Sequence, residues 1–163
     1  MILLIAGTRP EMVKLVSIVR NLKNREIIFV WSGQHYDYEL SRIFFEEFGG
    51  FVPDYDLNVD NASQGVQTAR VIQGVEDVLS KSNGKGVVVA VGDTNTVLGA
   101  GLASVKAGWV FAHVESGLRS FDRFMPEEIN RVVVDHMANV LFAPQCRLLS
   151  ICYMRGLFLG EYG

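Results

Sequence analysis

The sequence predicts an α/β fold in which a doubly wound parallel sheet carries helices on both faces. Short apolar runs typical of buried parallel strands recur along the 163 residues, and amphipathic helical patterns separate them. Apolar residues make up 49% of the chain, enough for one core, and the length is too small for two ordinary α/β domains. Alternating strands and helices with right-handed crossovers give this sheet.

The first 60 residues are expected to form three strands and two helices. The apolar run at residues 2–6 is typical of a buried parallel strand, and Pro10 begins a helix that reaches residue 22. Residues 26–31 are the second strand, and a helix over residues 37–48 ends at two glycines. Residues 54–57 are a short third strand.

The second half repeats the strand–helix unit. Strands are predicted at residues 86–91, 109–114 and 139–143, with helices at residues 63–84, 96–107 and 126–137 between them. The buried face of the first of these helices is predicted from apolar residues that recur every three positions, namely Val66, Ala69, Ile72, Val75 and Val78. The last helix has more apolar surface than one sheet face covers, which predicts a contact with a partner or a second domain, through Val132, Val133, Val134 and Met137.

Residues 1–144 are predicted to be one domain, and residues 145–163 an atypical tail. The tail is more apolar than a solvated terminal helix, so we expect a second, C-terminal domain that belongs to a larger protein. Its Cys146 and Cys152 lie six residues apart and make neither a zinc pattern nor a plausible local disulfide. This favours a reducing, cytoplasmic environment.

Composition excludes several classes of function. A net charge of −3 and a pI near 5.6 argue against a nucleic-acid-binding surface. No apolar run approaches the roughly 20 residues that a membrane span needs. The dinucleotide-binding pattern of three spaced glycines is missing after the first strand, which disfavours a dehydrogenase.

Polar clusters follow the predicted strands, at the edge where open parallel sheets bind ligands. Asp93 follows the fourth strand, and His113 and Glu115 end the fifth. The two carboxylates can therefore face one cleft and divide acid and base roles. The structural alternatives are that Asp93 caps the next helix and that Glu115 pairs with Arg119 to shape the loop.

Further charged groups follow the first two strands and begin the last helix. The backbone amides after Gly7, together with Arg9, favour an anion such as phosphate, and Lys14 could reach the same place. The alternatives are an ion pair for Arg9 and solvation for Lys14. His35 follows the second strand, and Glu127 is in a first helical turn that favours acidic residues in any case.

In this order the clusters resemble the non-hydrolysing UDP-N-acetylglucosamine 2-epimerases. The similarity covers about residues 1–144 and includes these matching segments: Gly7-Thr8-Arg9-Pro10-Glu11 with Lys14, Gln34-His35, Gly92-Asp93-Thr94, residues 113–119 and residues 126–131. The tail departs from the family, which usually has a more polar helix there.

The resemblance implies a glycosyltransferase-B-like enzyme of two Rossmann-like domains, of which this chain matches the first. The family interconverts UDP-N-acetylglucosamine and UDP-N-acetylmannosamine by eliminating UDP and adding it back. The residues that match its acid/base carboxylates are Asp93, Glu115 and Glu127. The substrate-binding positions are matched by Arg9, Lys14, Asp93 and Glu115. Candidate supporting residues are His35, His113, Arg119 and Arg131.

The resemblance also implies a homodimer of the full-length protein, a role in polysaccharide biosynthesis, and neither a metal nor a redox cofactor. Two alternatives remain open. One is half of a sugar-nucleotide glycosyltransferase, and the other is a noncatalytic sugar-nucleotide-binding or assembly module.

Overall fold

A computed structural model describes residues 1–22, 25–33, 51–59, 61–145 and 148. It contains six strands, which are β1 (Ile2–Ala6), β2 (Ile27–Trp31), β3 (Tyr55–Asp56), β4 (Val87–Val91), β5 (Val110–Val114) and β6 (Val140–Phe142). Its four described helices are α1 (Arg9–Val19), α2 (Gln64–Ser80), α3 (Asn95–Lys106) and α4 (Pro126–Met137). Strands and helices alternate as predicted, apart from residues 34–50, which contain the helix predicted at 37–48 and lie outside the described ranges.

The six strands form one parallel sheet in the order β3-β2-β1-β4-β5-β6. The chain builds outward from β1 to β3 on one side and then crosses by α2 to β4, from which it builds outward to β6 on the other side. This confirms the doubly wound sheet. The order reverses between β1 and β4, so the crevice that such folds use for ligands lies beyond their carboxyl ends.

The core has two layers because β1 is buried on both faces. Leu3 and Ile5 pack in the larger cluster with residues of α2 and α3, whereas Leu4 and Ala6 pack in the smaller cluster with residues of α1. A strand that buries both faces needs a continuous apolar run, which is what the sequence of β1 shows.

The buried face of α2 differs from the predicted one. Val71, Val75 and Val78 are buried, but Val66 is 43% exposed and Ala69 is exposed. A spacing of three drifts around a helix of 3.6 residues per turn, so only part of the predicted stripe reaches the core. The face lies close to α3, since a Cβ added at Gly99 would be 2.8 Å from Val71 Cβ.

Two further expectations concern surfaces. The apolar surface predicted on α4 is only partly present, because Val134 is fully buried whereas Val133 is 38% exposed. No helix within the described ranges is long and apolar enough to cross a membrane. The predictions for His35, Cys146 and Cys152 fall on residues outside the described part of the chain.

Candidate functional site

Asp93 and Glu115 lie at the same edge of the sheet, as predicted. Their strands are neighbours in register, with Val91 opposite Val114, and the Gly92 amide donates a hydrogen bond to the Val114 carbonyl (3.1 Å). A Cβ added at Gly92 would be 3.9 Å from Glu115 Oε2. The carboxylate of Glu115 therefore reaches the turn that carries Asp93.

Helix α4 holds Asp93 through two consecutive residues. The Arg131 guanidinium donates from Nε (2.8 Å) and Nη2 (2.5 Å) to Asp93 Oδ2. The side-chain amide of Asn130 donates to the backbone carbonyl of Asp93 at 2.9 Å. Thr94, and not Asp93, is the N-cap residue of α3. Asp93 is thus fixed by α4, with 30% of its side chain exposed.

Glu115 adopts a left-handed backbone conformation with a φ of 73°. This region is uncommon for a residue other than glycine, and its strain is typical of functional sites. The amides of Glu115 and Ser116 both donate to the Phe142 carbonyl, at 3.0 and 3.2 Å, which holds the turn. The carboxylate pairs with Lys14 Nζ at 2.7 Å. The alternative of a pair with Arg119 is therefore wrong.

Arg119 instead joins a buried cluster around Asp135. One oxygen of Asp135 lies 2.6 Å from His113 Nδ1, and the other accepts from the Gly117 amide (2.9 Å) and lies 2.6 Å from Arg119 Nη2. Burial alone would raise the pKa of Asp135, but His113, Gly117 and Arg119 together bring that pKa below its ordinary value. The other ring nitrogen of His113, Nε2, lies 2.8 Å from the Gly92 carbonyl oxygen.

Glu11 is a second buried carboxylate, and its place in the sequence predicts no separate role for it. It accepts hydrogen bonds from the amides of Gly7 (2.7 Å) and Thr8 (3.0 Å) and from the Thr94 hydroxyl (2.6 Å). Burial raises its pKa, against the effect of these hydrogen bonds. The Gly7 and Thr8 amides, expected to bind an external anion, therefore bind Glu11. Arg9 is exposed beside them.

The two acidic residues at the start of α4 have different surroundings. Glu128 is buried, accepts from the Ser120 amide (2.8 Å) and hydroxyl (3.1 Å), and lies 3.4 Å from Arg131 Nη1. Burial opposes ionisation of Glu128, but Ser120, Arg131 and Arg119 outweigh it and lower its pKa. Glu127 is half-buried, and no hydrogen bond or ion pair joins its carboxylate to a residue that the structure describes.

The carboxylates of the site therefore fall into two groups that differ in exposure. Asp93 and Glu115 are 30% and 26% exposed and each faces one cation, so both are accessible to a ligand. Glu11, Glu128 and Asp135 are at most 3% exposed and occupied by fixed donors. Within the described ranges no group of three or more His, Cys, Asp or Glu residues could hold a metal ion.

Known proteins resemble this chain over most of its length. A family model described as UDP-N-acetylglucosamine 2-epimerase matches residues 19–148. A UDP-N-acetylglucosamine 2-epimerase of Methanococcus maripaludis is 47% identical over 141 residues, which are 86% of this chain and 38% of the relative. A UDP-2,3-diacetamido-2,3-dideoxy-D-glucuronate 2-epimerase of Pseudomonas aeruginosa is 40% identical, over 88% of this chain and 41% of the relative.

Solved structures give the same result. The Methanocaldococcus jannaschii UDP-GlcNAc 2-epimerase in complex with UDP-GlcNAc and UDP is 43% identical, with a TM-score of 0.89 over 95% of this chain and 43% of that protein. The Neisseria meningitidis enzyme bound to UDP-GlcNAc has a TM-score of 0.85 at 26% identity. These neighbours have the glycosyltransferase-B-like fold, of which the chain has a Rossmann-like part.

The chain spans about two fifths of the length of these relatives, which is consistent with the predicted N-terminal domain. The matched family model, the identities and the shared fold agree with the resemblance carried by the residues at the sheet edge. The chain belongs to the UDP-N-acetylglucosamine 2-epimerase family.

Proposed function

We propose that the chain is the acid/base half of an enzyme that interconverts UDP-N-acetylglucosamine and UDP-N-acetylmannosamine. The observation that carries the proposal is the pair of partly exposed carboxylates, Asp93 and Glu115, which end neighbouring strands and each face one cation. The relative from M. jannaschii, solved with UDP-GlcNAc and UDP, supports the substrate class.

The proposed reaction needs a base and an acid on opposite faces of one carbon. A carboxylate takes the proton from C2, the electron pair forms a C1–C2 double bond, and the C1–O bond breaks as UDP leaves. A carboxylic acid then returns a proton to the other face of C2 while a UDP oxygen bonds to C1 again. Asp93, Glu115 and Glu127 are the proposed acid/base carboxylates, and positioned groups of this kind typically contribute about 10²–10⁴-fold.

Arg9 and Lys14 are the proposed partners of the diphosphate. Both belong to α1, beside the switch point of the sheet, and both are exposed. Lys14 pairs with Glu115 in this structure, so a diphosphate that binds Lys14 competes with that carboxylate. The other supporting roles are structural: His113, Arg119 and Arg131 hold the two carboxylate turns.

The proposal is tested with the variants Asp93→Asn, Glu115→Gln and Glu127→Gln. Each change is nearly isosteric, so kcat should fall by about 10²–10⁴-fold while KM changes much less. Glu76→Gln, an exposed carboxylate on α2, is the matched control. The chain is assayed alone, where we expect negligible turnover, and with a C-terminal domain supplied.

Solvent deuterium gives the second readout. Turnover in D₂O should place deuterium at C2 of both sugars. If C2 acquires no deuterium, or if all three variants keep a near-normal kcat, the acid/base assignment is wrong. Both UDP-N-acetylglucosamine and UDP-2,3-diacetamido-2,3-dideoxy-D-glucuronate should be offered, since a 40% identical relative is an epimerase of the latter.

We infer that the complete protein is a cytoplasmic homodimer that uses the outer face of α4. Ile129 and Val133 are each 38% exposed on that face, beside half-buried Leu102 and Val105. Exposed apolar patches of this kind mark interfaces. Sedimentation of the native protein against Val133→Glu tests the dimer, and a native monomer at high concentration would contradict it.

A further inference from the structure

We propose that Asp135 and His113 are positioning residues that hold the turns of Asp93 and Glu115 together through a buried imidazolium ion. The inference rests on the proposed function for the roles of those two carboxylates. The side chains of His113 and Asp135 are 1% and 0% exposed, so neither touches a ligand directly.

The hydrogen-bond partners of His113 fix its protonation. A backbone carbonyl can only accept a hydrogen bond, so the Nε2 atom facing the Gly92 oxygen at 2.8 Å carries a hydrogen. A second hydrogen must lie between Nδ1 and Asp135 Oδ1, which are 2.6 Å apart. The cation of Arg119 and the Gly117 amide both favour the ionised form of Asp135. The second hydrogen therefore belongs to His113.

The imidazolium acts on the turn of Asp93 through the peptide that precedes it. Gly92 has a φ of 96°, a backbone conformation that favours glycine. Because glycine has no Cβ atom, its backbone could also adopt several other conformations. The hydrogen bond from His113 Nε2 to the Gly92 carbonyl selects one orientation of the peptide that leads into Asp93. The remaining contacts of Asp93, from Asn130 and Arg131, depend on that orientation.

Asp135 acts on the turn of Glu115 from the other side. Its Oδ2 accepts from the Gly117 amide, two residues after the left-handed Glu115. Together with the bonds from Glu115 and Ser116 to the Phe142 carbonyl, this contact closes the turn. One buried carboxylate on α4 is thus connected to both candidate acid/base residues, and the two turns cannot move independently.

The charges of the site support a fourth cation. Four carboxylates, at positions 93, 115, 128 and 135, form ion pairs with three permanent cations, Lys14, Arg119 and Arg131. An imidazolium at position 113 reduces this excess of negative charge where it is least exposed to solvent. With Asp135 ionised, a neutral ring would leave either Nε2 or Nδ1 facing an acceptor without a hydrogen.

The first test uses ¹⁵N NMR of the histidine rings in the full chain at neutral pH. We expect one ring with both nitrogens protonated in the native protein, and its conversion to a neutral ring in Asp135→Asn. The Gly117 amide should exchange with solvent faster in that variant. Asp77→Asn, an exposed aspartate on α2, should change neither signal. A neutral His113 ring in the native protein would overturn the proposal.

The second test measures epimerisation with a C-terminal domain supplied. Asp135→Asn and His113→Gln should each lower kcat by about 10²-fold with little change in KM, because small displacements of reacting groups have effects of this size. His113→Gln can reach only one of the two partners, and it keeps the test valid if Asp135→Asn does not fold.

The outcomes separate the two proposals. Folded variants of both residues that keep kcat within about twofold of the native value would overturn the positioning role. If the native protein does not epimerise but its NMR spectrum shows the imidazolium and the loss of it in Asp135→Asn, the proposed function is wrong and the connection between the two turns is supported.

Discussion

Glu11 and Asp135 are both buried carboxylates beside the candidate site, yet their pKa values shift in opposite directions. Glu11 accepts three hydrogen bonds, all from neutral groups, and burial raises its pKa. Asp135 is as deeply buried, but His113 and Arg119 face it and its pKa is lowered. The comparison shows that charge among the partners, more than their number, decides whether a buried acid stays ionised.

The largest expected effect is the loss of stability on substitution of Asp135. Asp135→Asn leaves Arg119 buried without its counter-ion, so we expect the free energy of unfolding to fall by about 3 kcal/mol. Urea unfolding of the native chain and the variant measures this, with Asp77→Asn as the exposed control. A loss no greater than that of the control would mean that the ion pairs of Asp135 contribute nothing net.

The contributions of Asp135 and Glu11 to the free energy of unfolding should depend on pH in opposite directions. The stabilisation from Asp135 should be present above the unfolded pKa of about 3.9 and be lost as the pH falls through the lowered folded pKa. The stabilisation from Glu11 should be present below an unfolded pKa of about 4.3 and be lost as the pH rises through the raised folded pKa.

These opposite pH dependences are measured from the free energies of unfolding of the native, Asp135→Asn and Glu11→Gln proteins between pH 3 and pH 7. The native advantage over Asp135→Asn should grow with pH at the acidic end, and the advantage over Glu11→Gln should shrink. If both advantages changed with pH in the same direction, the pKa values of Asp135 and Glu11 would not be shifted in opposite directions.

The smallest effect is expected at the exposed ion pair. Lys14 and Glu115 have side chains that are 43% and 26% exposed, so water already screens their attraction. Lys14→Met should change the free energy of unfolding by about 0.5 kcal/mol or less. A loss as large as that of Asp135→Asn would show that exposure does not distinguish the two ion pairs.

Much of the fold and the placement of Asp93 and Glu115 could be predicted from the sequence. Each strand is an apolar run that ends abruptly in polar residues, and parallel strands bring such ends to one edge. The boundaries were less accurate: α1 ends at Val19 instead of residue 22, and α2 at Ser80 instead of residue 84. Helix ends depend on local contacts that apolar spacing does not encode.

The partners of the charged residues could not be predicted, because pairing depends on the packing of distant elements. Lys14 meets Glu115 across 101 positions of the chain, and Arg119 faces Asp135 instead of the nearer Glu115. Glu11 carries no distinguishing signal either, since an acid in the first turn of a helix is favoured by the helix dipole in any protein.

The ion pair between Lys14 and Glu115 has a consequence for the timing of the proposed reaction. While the pair is intact, the ammonium group covers one oxygen of Glu115, a proposed acid/base carboxylate. A diphosphate that attracts Lys14 would uncover this oxygen at the moment a sugar is present. In the proposed reaction, Glu115 would then be shielded by Lys14 in the resting domain and would become free to transfer protons only when the substrate binds.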